Sequence, residues 1–372
     1  MTTISITPRC RRSRTRGNLV LLTVLSAGLI VPASVWNSGI LSGGTYDPAR
    51  PVASDETGEP VDPAPIVDAA LLQPVDFEFS GGDGAEDVLS GVFIEELDTI
   101  RPSPIDKDSE SVLEVGSVED LARKFAALDY SVQEIREGDA LVPRVFVASF
   151  PEDLDGIETI DQRKSLFFKT MLPLVLRANE QVQHDRWRLL GLRERIENGR
   201  ALTRDDRRWL GALAEEYRLD EVDIDELLLR VDIVPPSMAL AQAVVESGWG
   251  RSRFAQEANA VFGQITIAET GIVSESDGQR FASFPQLLDG TESYVRNLNT
   301  HRAYADFRAL RAQQRASGGR LDGSELLAGL LRYSELGQDY INYVRGVIDD
   351  NDLAQFDRAR LAVPESQVAS VI

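Results

Sequence analysis

The stretch from Pro235 to Gln264, PPSMALAQAVVESGWGRSRFAQEANAVFGQ, constrains this chain most. Two prolines open it, and proline is preorganised for the first turn of a helix. Met238 to Glu246 then holds helix formers and no breaker. Gly248 and Gly250 end the run, as glycine does just past a helix C-terminus. The result is a short, largely apolar helix with one carboxyl group, Glu246, in its last turn. The partial negative charge of a helix C-terminus opposes ionisation there. Val244, Val245 and Trp249 would desolvate the group and push its pKa up as well. A carboxyl kept protonated near neutral pH suits a general acid that protonates a leaving oxygen. The competing reading is an ordinary surface glutamate at a helix end.

The charge is unevenly distributed. Residues 37–160 hold 28 acidic and 7 basic side chains, and the rest of the chain holds 32 of each. Residues 37–110, rich in Pro, Gly, Asp and Glu without periodicity, read as a disordered acidic linker. No basic patch offsets this acidity, which argues against a nucleic-acid partner. With two histidines (His184, His301) and one cysteine (Cys10), a His/Cys zinc site and an internal disulfide are both disfavoured. No metal or cofactor is expected. A serine-hydrolase triad lacks its G-x-S-x-G turn.

Residues 1–36 read as a signal peptide or an N-terminal membrane anchor. Five arginines between Arg9 and Arg16 precede an uncharged apolar run from Leu19 to about Val35. Their position before the run puts the remainder of the chain outside the cytoplasm, whether secreted, periplasmic or tethered to the inner membrane. Residues 111–160 read as a small β-α-β-β appendage. Val112–Val115, Tyr130–Ile135 and Val142–Ala148 are its strands, and a helix follows Ser117. From Asp161 the pattern is helical, with a break or kink at Pro173. Gln264–Ile267 and Arg280–Phe284 alternate as the strands of a hairpin around a polar loop, Ala268–Gln279. Helices resume from Gln286, and residues 356–372 read as a loose tail. The fold class is therefore α+β and mostly helical: a lysozyme-like domain over 161–355, in which a hairpin lobe flanks the glutamate.

ALAQAVVESGWGRSRFAQEANAVFGQ resembles the core motif of the β-N-acetylglucosaminidases of glycoside hydrolase family 73. More closely, the chain resembles the Bax-like proteins of Gram-negative bacteria. The same resemblance is carried by RKSLFFKTMLPLV, LLLRVDIVPPSM, SYVRNLNTHRAYADFR and GLLRYSELGQDYINYV, in that order over residues 161–355. Many relatives have two adjacent asparagines before Leu-Phe-Gly; here Asn259 is followed by Ala260, Val261, Phe262 and Gly263.

The resemblance implies hydrolysis of the β-1,4 bond after N-acetylglucosamine in peptidoglycan, with Glu246 as the acid. A second carboxylate is sought in the hairpin loop, with Glu275 ahead of Asp277 and then Glu269. Failing that, the substrate's acetamido group would act. Tyr333 and Tyr340 lie where the family keeps tyrosines near its cleft, and Tyr333 would orient the acetamido group or the acid. Trp249 and Phe262 read equally as walls of the sugar groove, since apolar sugar faces pack on rings, and as core residues; Asn259 and Gln264 are further candidates for the groove. His301 fits a structural hydrogen bond better than catalysis. The rival readings are a muramidase or lytic transglycosylase, with a similar Glu-Ser pair, and a non-catalytic wall-binding scaffold.

Overall fold

The computed structural model describes residues 112–266, 271–274, 278, 280–318 and 320–363. Residues 1–36 and 37–110, read above as an export segment and an acidic linker, and the loop carboxylates Glu269, Glu275 and Asp277 lie outside these residues.

The described chain opens on a short parallel pair, β1 (Val112–Leu113) and β2 (Phe146–Val147). Two helices separate these strands, α1 (Val118–Ala127) and α2 (Val132–Glu137). The order is thus β-α-α-β, and the strand expected at Tyr130–Ile135 is instead the start of α2. Local helix signals outweigh the short alternation there. The Ser131 hydroxyl accepts from the Glu134 N–H, and Gly138, at φ +84°, closes the helix rather than turning a hairpin. Leu121, Phe125, Ile135 and Phe146 join the same apolar core as the rest of the chain.

Helix α3 (Ile160–Glu197) runs unbroken for 38 residues with Pro173 inside it. Of the break or kink expected at Pro173, the break does not occur. Met171, Leu172, Leu174 and Val175 beside the proline are at most 2 % exposed, and that burial offsets the hydrogen bond the proline cannot donate. Helix α4 (Arg204–Glu216) begins on a reciprocal capping box between Thr203 and Asp206. Helix α5 (Ile224–Arg230) is capped by the Asp223 carboxylate.

The extended segment after α5 is pinned by buried polar groups. Asn179 pairs both ways with Val234, accepting its N–H at 3.0 Å and donating to its carbonyl at 2.7 Å. Arg311, 1 % exposed, donates to the carbonyls of Leu229, Arg230, Asp232 and Ile233. The Asp232 carboxylate, 2 % exposed, faces Arg315 at 2.9 Å, Arg186 at 3.7 Å and Arg311 at 4.0 Å. Burial alone would raise the Asp232 pKa. The guanidiniums of Arg186, Arg315 and Arg311 overcome it and hold the carboxyl far below its usual range.

This clamp delivers the chain to α6 (Pro236–Ser247), in which every residue from Pro236 to Val245 is buried. A helix apolar on all sides must be enclosed. It packs against α3, α10 (Gly323–Leu326), α11 (Gln338–Asp350) and a 3-10 turn at Leu353–Arg358. Full burial of Met238, Leu240 and Val244 is worth about 1.5–3 kcal/mol each.

After α6 come α7 (Arg253–Ala258) and an antiparallel pair, β3 (Ile272–Val273) and β4 (Arg280–Phe281). The expected hairpin strand at Gln264–Ile267 pairs with this region through a bridge from Ile265 to Phe281. Ile272 and Val273, read as polar loop, form a strand on the same partner. Gly271 permits it, because its φ is +129° and any Cβ there would strike the Phe281 carbonyl. Helices α8 (Leu287–Thr300) and α9 (Ala305–Ala316) complete the lobe.

The segment read as a loose tail is anchored as far as it is described. Phe356 is fully buried, and Val142 exchanges backbone hydrogen bonds with Arg360 and Ala362. Asp357 also caps α6, where Pro235 can offer no side-chain acceptor. Its carboxylate accepts from the Ser237 N–H and hydroxyl, both at 2.8 Å. Burial pushes the Asp357 carboxyl up to about 6, against the pull of those two bonds. A raised carboxyl pKa favours the folded state while the group is protonated, and that advantage fades as pH rises through about 6. Asp357→Asn keeps an acceptor for the N–H, and its amide N–H donates to the Ser237 hydroxyl in place of accepting from it. Relative to this variant, the wild type should lose about 1–3 kcal/mol of stability between pH 4 and 7. Urea unfolding at both pH values measures it, and a pH-independent difference would rule out a raised Asp357 pKa.

Candidate active site

Glu246 stands in the last turn of α6, which ends at Gly248 in the left-handed conformation (φ +57°). The next residue, Trp249, also has positive φ (+64°), so the chain turns away sharply. Ser247 closes this turn. Its hydroxyl donates to the Ala243 carbonyl at 2.6 Å and accepts from the Gly250 N–H at 2.8 Å.

The Glu246 side chain is half-buried with its carboxyl turned inward. Burial pushes its pKa up to about 8, and the hydrogen bond from Tyr340 pulls only partly the other way. At pH 7 the acid form is then favoured roughly ten to one. Tyr340, on α11, donates to Oε1 at 2.9 Å. The other oxygen, Oε2, faces Gly263, where a Cβ would stand only 2.9 Å away. Gly263 has φ +63°, so the close approach and the backbone conformation both call for glycine.

Two residues behind the acid carried no signal in isolation. Gln242, one turn before Glu246 on the same helical face, is 0 % exposed. Its Nε2 donates to the Tyr340 oxygen at 3.0 Å, and its Oε1 accepts from the Tyr294 hydroxyl at 2.7 Å. A lone amide within an apolar helix was the available clue. Tyr294, on α8, stacks on Phe262 with ring centroids 3.9 Å apart.

The other sequence candidates divide clearly. Tyr333 is half-buried, stacks on Tyr340 at 5.4 Å and donates to the Phe262 carbonyl at 3.2 Å. Glu246, Gly263 and Tyr333 are each half-buried. Phe262 is 2 % exposed, a packing residue and not an open groove wall. Trp249 likewise packs edge-on against Phe167 and Phe168 in the core, at 5.6 and 5.5 Å. The volume a ring fills in a core outweighs any gain from leaving it open to sugar. Asn259 ends α7 in the left-handed conformation and donates to the Phe284 and Pro285 carbonyls. Gln264 donates to the Gly290 carbonyl at 2.7 Å. Both amides tie the 259–264 turn to the start of α8, and their side-chain oxygens are enclosed.

His301 is structural in its contacts: it ends α8, and its Nδ1 accepts from the Ala303 N–H. Among the described residues, no group of three or more His, Cys, Asp or Glu is gathered as a metal site. No second carboxylate among them shifts Glu246. The arrangement holds a neutral carboxyl, oriented by one phenol, among residues that stay partly exposed.

Comparison with known proteins adds three findings. The family profile described as glucosaminidase, mannosyl-glycoprotein endo-beta-N-acetylglucosaminidase, matches residues 223–353, the span from the α5 cap to the last 3-10 turn. The protein bax of Escherichia coli (strain K12) is 30% identical over 195 residues, which are 51% of this chain and 70% of that protein. The catalytic domain of the autolysin Auto from Listeria monocytogenes is similar at 20% identity. It covers 45% of this chain and 96% of that chain at a TM-score of 0.26, too loose an overlay to carry residues across.

Proposed function

The chain belongs to the Bax-like family with its glucosaminidase domain, and from that premise we propose that it is a peptidoglycan hydrolase. It cleaves the β-1,4 bond after N-acetylglucosamine, and Glu246 is its general acid. The observation that carries this reading is the Glu246 carboxyl itself: buried enough to stay protonated near neutral pH, hydrogen-bonded by Tyr340, and borne by a residue that is only half-buried. A wall-binding scaffold would have no use for a carboxyl kept in its acid form.

Protonation of the leaving oxygen needs a partner that stabilises the oxocarbenium-like transition state from the other side. We assign that role to the hairpin loop, to Glu275 first and to Asp277 or Glu269 after it. Without a loop carboxylate the substrate's own acetamido group takes the role, and half-buried Tyr333 holds it. The polymer lies outside the cytoplasm, in keeping with the export segment read at residues 1–36, cleaved or retained as a tether. Among the described residues no helix is long and apolar enough to cross a membrane.

The test is a digest of purified sacculi with mass-spectrometric analysis of the new ends. Reducing N-acetylglucosamine ends are expected. Reducing N-acetylmuramic ends would identify a muramidase instead, and 1,6-anhydro ends a lytic transglycosylase. The same digest with Glu275→Gln, Asp277→Asn and Glu269→Gln should show the largest loss for Glu275. Equal small losses would move the second role to the acetamido group.

A further inference from the structure

Glu246 has two carboxyl oxygens, and only one of them can carry the proton that a leaving group takes. The described residues around the acid make that choice. From α11 comes Tyr340, from the turn before it Tyr333, from α8 Tyr294, and from the 262–264 segment the Gly263 backbone. The three phenols are neutral, because burial holds each far above its ordinary pKa. Among the described residues no lysine, arginine, histidine or second carboxylate shifts Glu246.

A phenol has one proton to donate. If that proton goes to Glu246 Oε1, the Tyr340 oxygen can only accept from its second neighbour. That neighbour is Gln242 Nε2, which can donate and cannot accept. A hydroxyl or carboxylate at the same place would compete for the Tyr340 proton. The Gln242 amide is held the right way round in turn, because its oxygen takes the Tyr294 hydroxyl proton. The hydrogen bonds therefore run one way through the buried chain, from Tyr294 to Gln242 to Tyr340 to Glu246.

We infer that Gln242 is a positioning residue for the acid: it fixes the direction of the Tyr340–Glu246 hydrogen bond and so keeps the catalytic proton on Oε2, the oxygen facing Gly263. The inference rests on Glu246 being the acid. Gln242 itself, fully enclosed within α6, does not touch substrate. Its effect passes through Tyr340.

The experiment is a double-mutant cycle with full pH profiles on soluble glycan fragments. The variants are Gln242→Leu, Tyr340→Phe and the pair together, with Glu246→Gln as the reference. Gln242→Leu should lower kcat about tenfold, the value of one hydrogen bond to an ionisable group, and change KM less than twofold. Its alkaline limb should move to higher pH, because the Tyr340 hydroxyl, no longer held and polarised by the Gln242 amide, donates a weaker hydrogen bond to the carboxylate. Tyr340→Phe should shift the limb in the same sense. The double variant should lose no more than Tyr340→Phe alone, since Gln242 acts through that phenol. If the losses multiply, or if the Gln242→Leu limb stays in place, the inference is wrong. An active Glu246→Gln overturns the acid assignment itself, so the two failures are distinguishable. Should the leucine variant unfold, Tyr294→Phe tests the chain from its far end, and an unmoved limb there counts against the inference equally.

Discussion

Glu246→Gln is expected to lower kcat on sacculi by about 10²–10⁴-fold with the fold intact. The amide matches the carboxyl in shape, so Oε1 still accepts from Tyr340 and Gly263 still leaves room beside the other atom. Only the transferable proton is lost. Melting temperature should stay the same or rise, because the uncharged amide avoids the burial cost that raises the carboxyl pKa. The wild type should lose activity on the alkaline side around pH 8, as the acid ionises there. A folded Glu246→Gln enzyme that digests sacculi at the wild-type rate would remove Glu246 from the reaction.

Asp232→Ala is expected to cost about 3–5 kcal/mol of folding stability, a large part of what a domain of this size has. Removing the one carboxylate leaves Arg186, Arg311 and Arg315 facing each other in the interior. Arg186 and Arg311 are almost wholly enclosed and cannot turn to solvent. The effect should reach the active site as well, because this clamp sets the entry of the chain into α6. For contrast, Arg208 and Asp205 form an ion pair in which both side chains are mostly exposed. Arg208→Ala should cost under about 1 kcal/mol. Comparable losses for the two variants in urea unfolding would mean that the Asp232 cluster is solvated and contributes little.

Where sequence signals were local, they translated directly into structure. The α6 helix starts at its prolines and stops at Gly248. The position of Glu246 in a last turn followed from the same signals. Where the outcome depended on distant partners, the sequence pattern misled or left two readings open. Pro173 lies within one long helix because the core encloses both sides of it. Trp249 and Phe262 became core residues because Phe167, Phe168 and Tyr294 stack on them. The C-terminal segment is held because Phe356 and Asp357 find places against α6, more than a hundred residues earlier.

The sequence by itself determined an apolar helix bearing one acid at its C-terminal end, and with it the family to which the chain belongs. Those features rest on interactions within a few residues of each other: glycine and proline dihedrals, caps and an apolar run. Only the tertiary structure decided the state of the acid. Its hydrogen-bond partner Tyr340 lies 94 positions away in the chain, and Gln242 behind that phenol takes the Tyr294 hydroxyl from 52 positions away. Desolvation and hydrogen-bond direction depend on what packs around a group in space, and no local pattern encodes them.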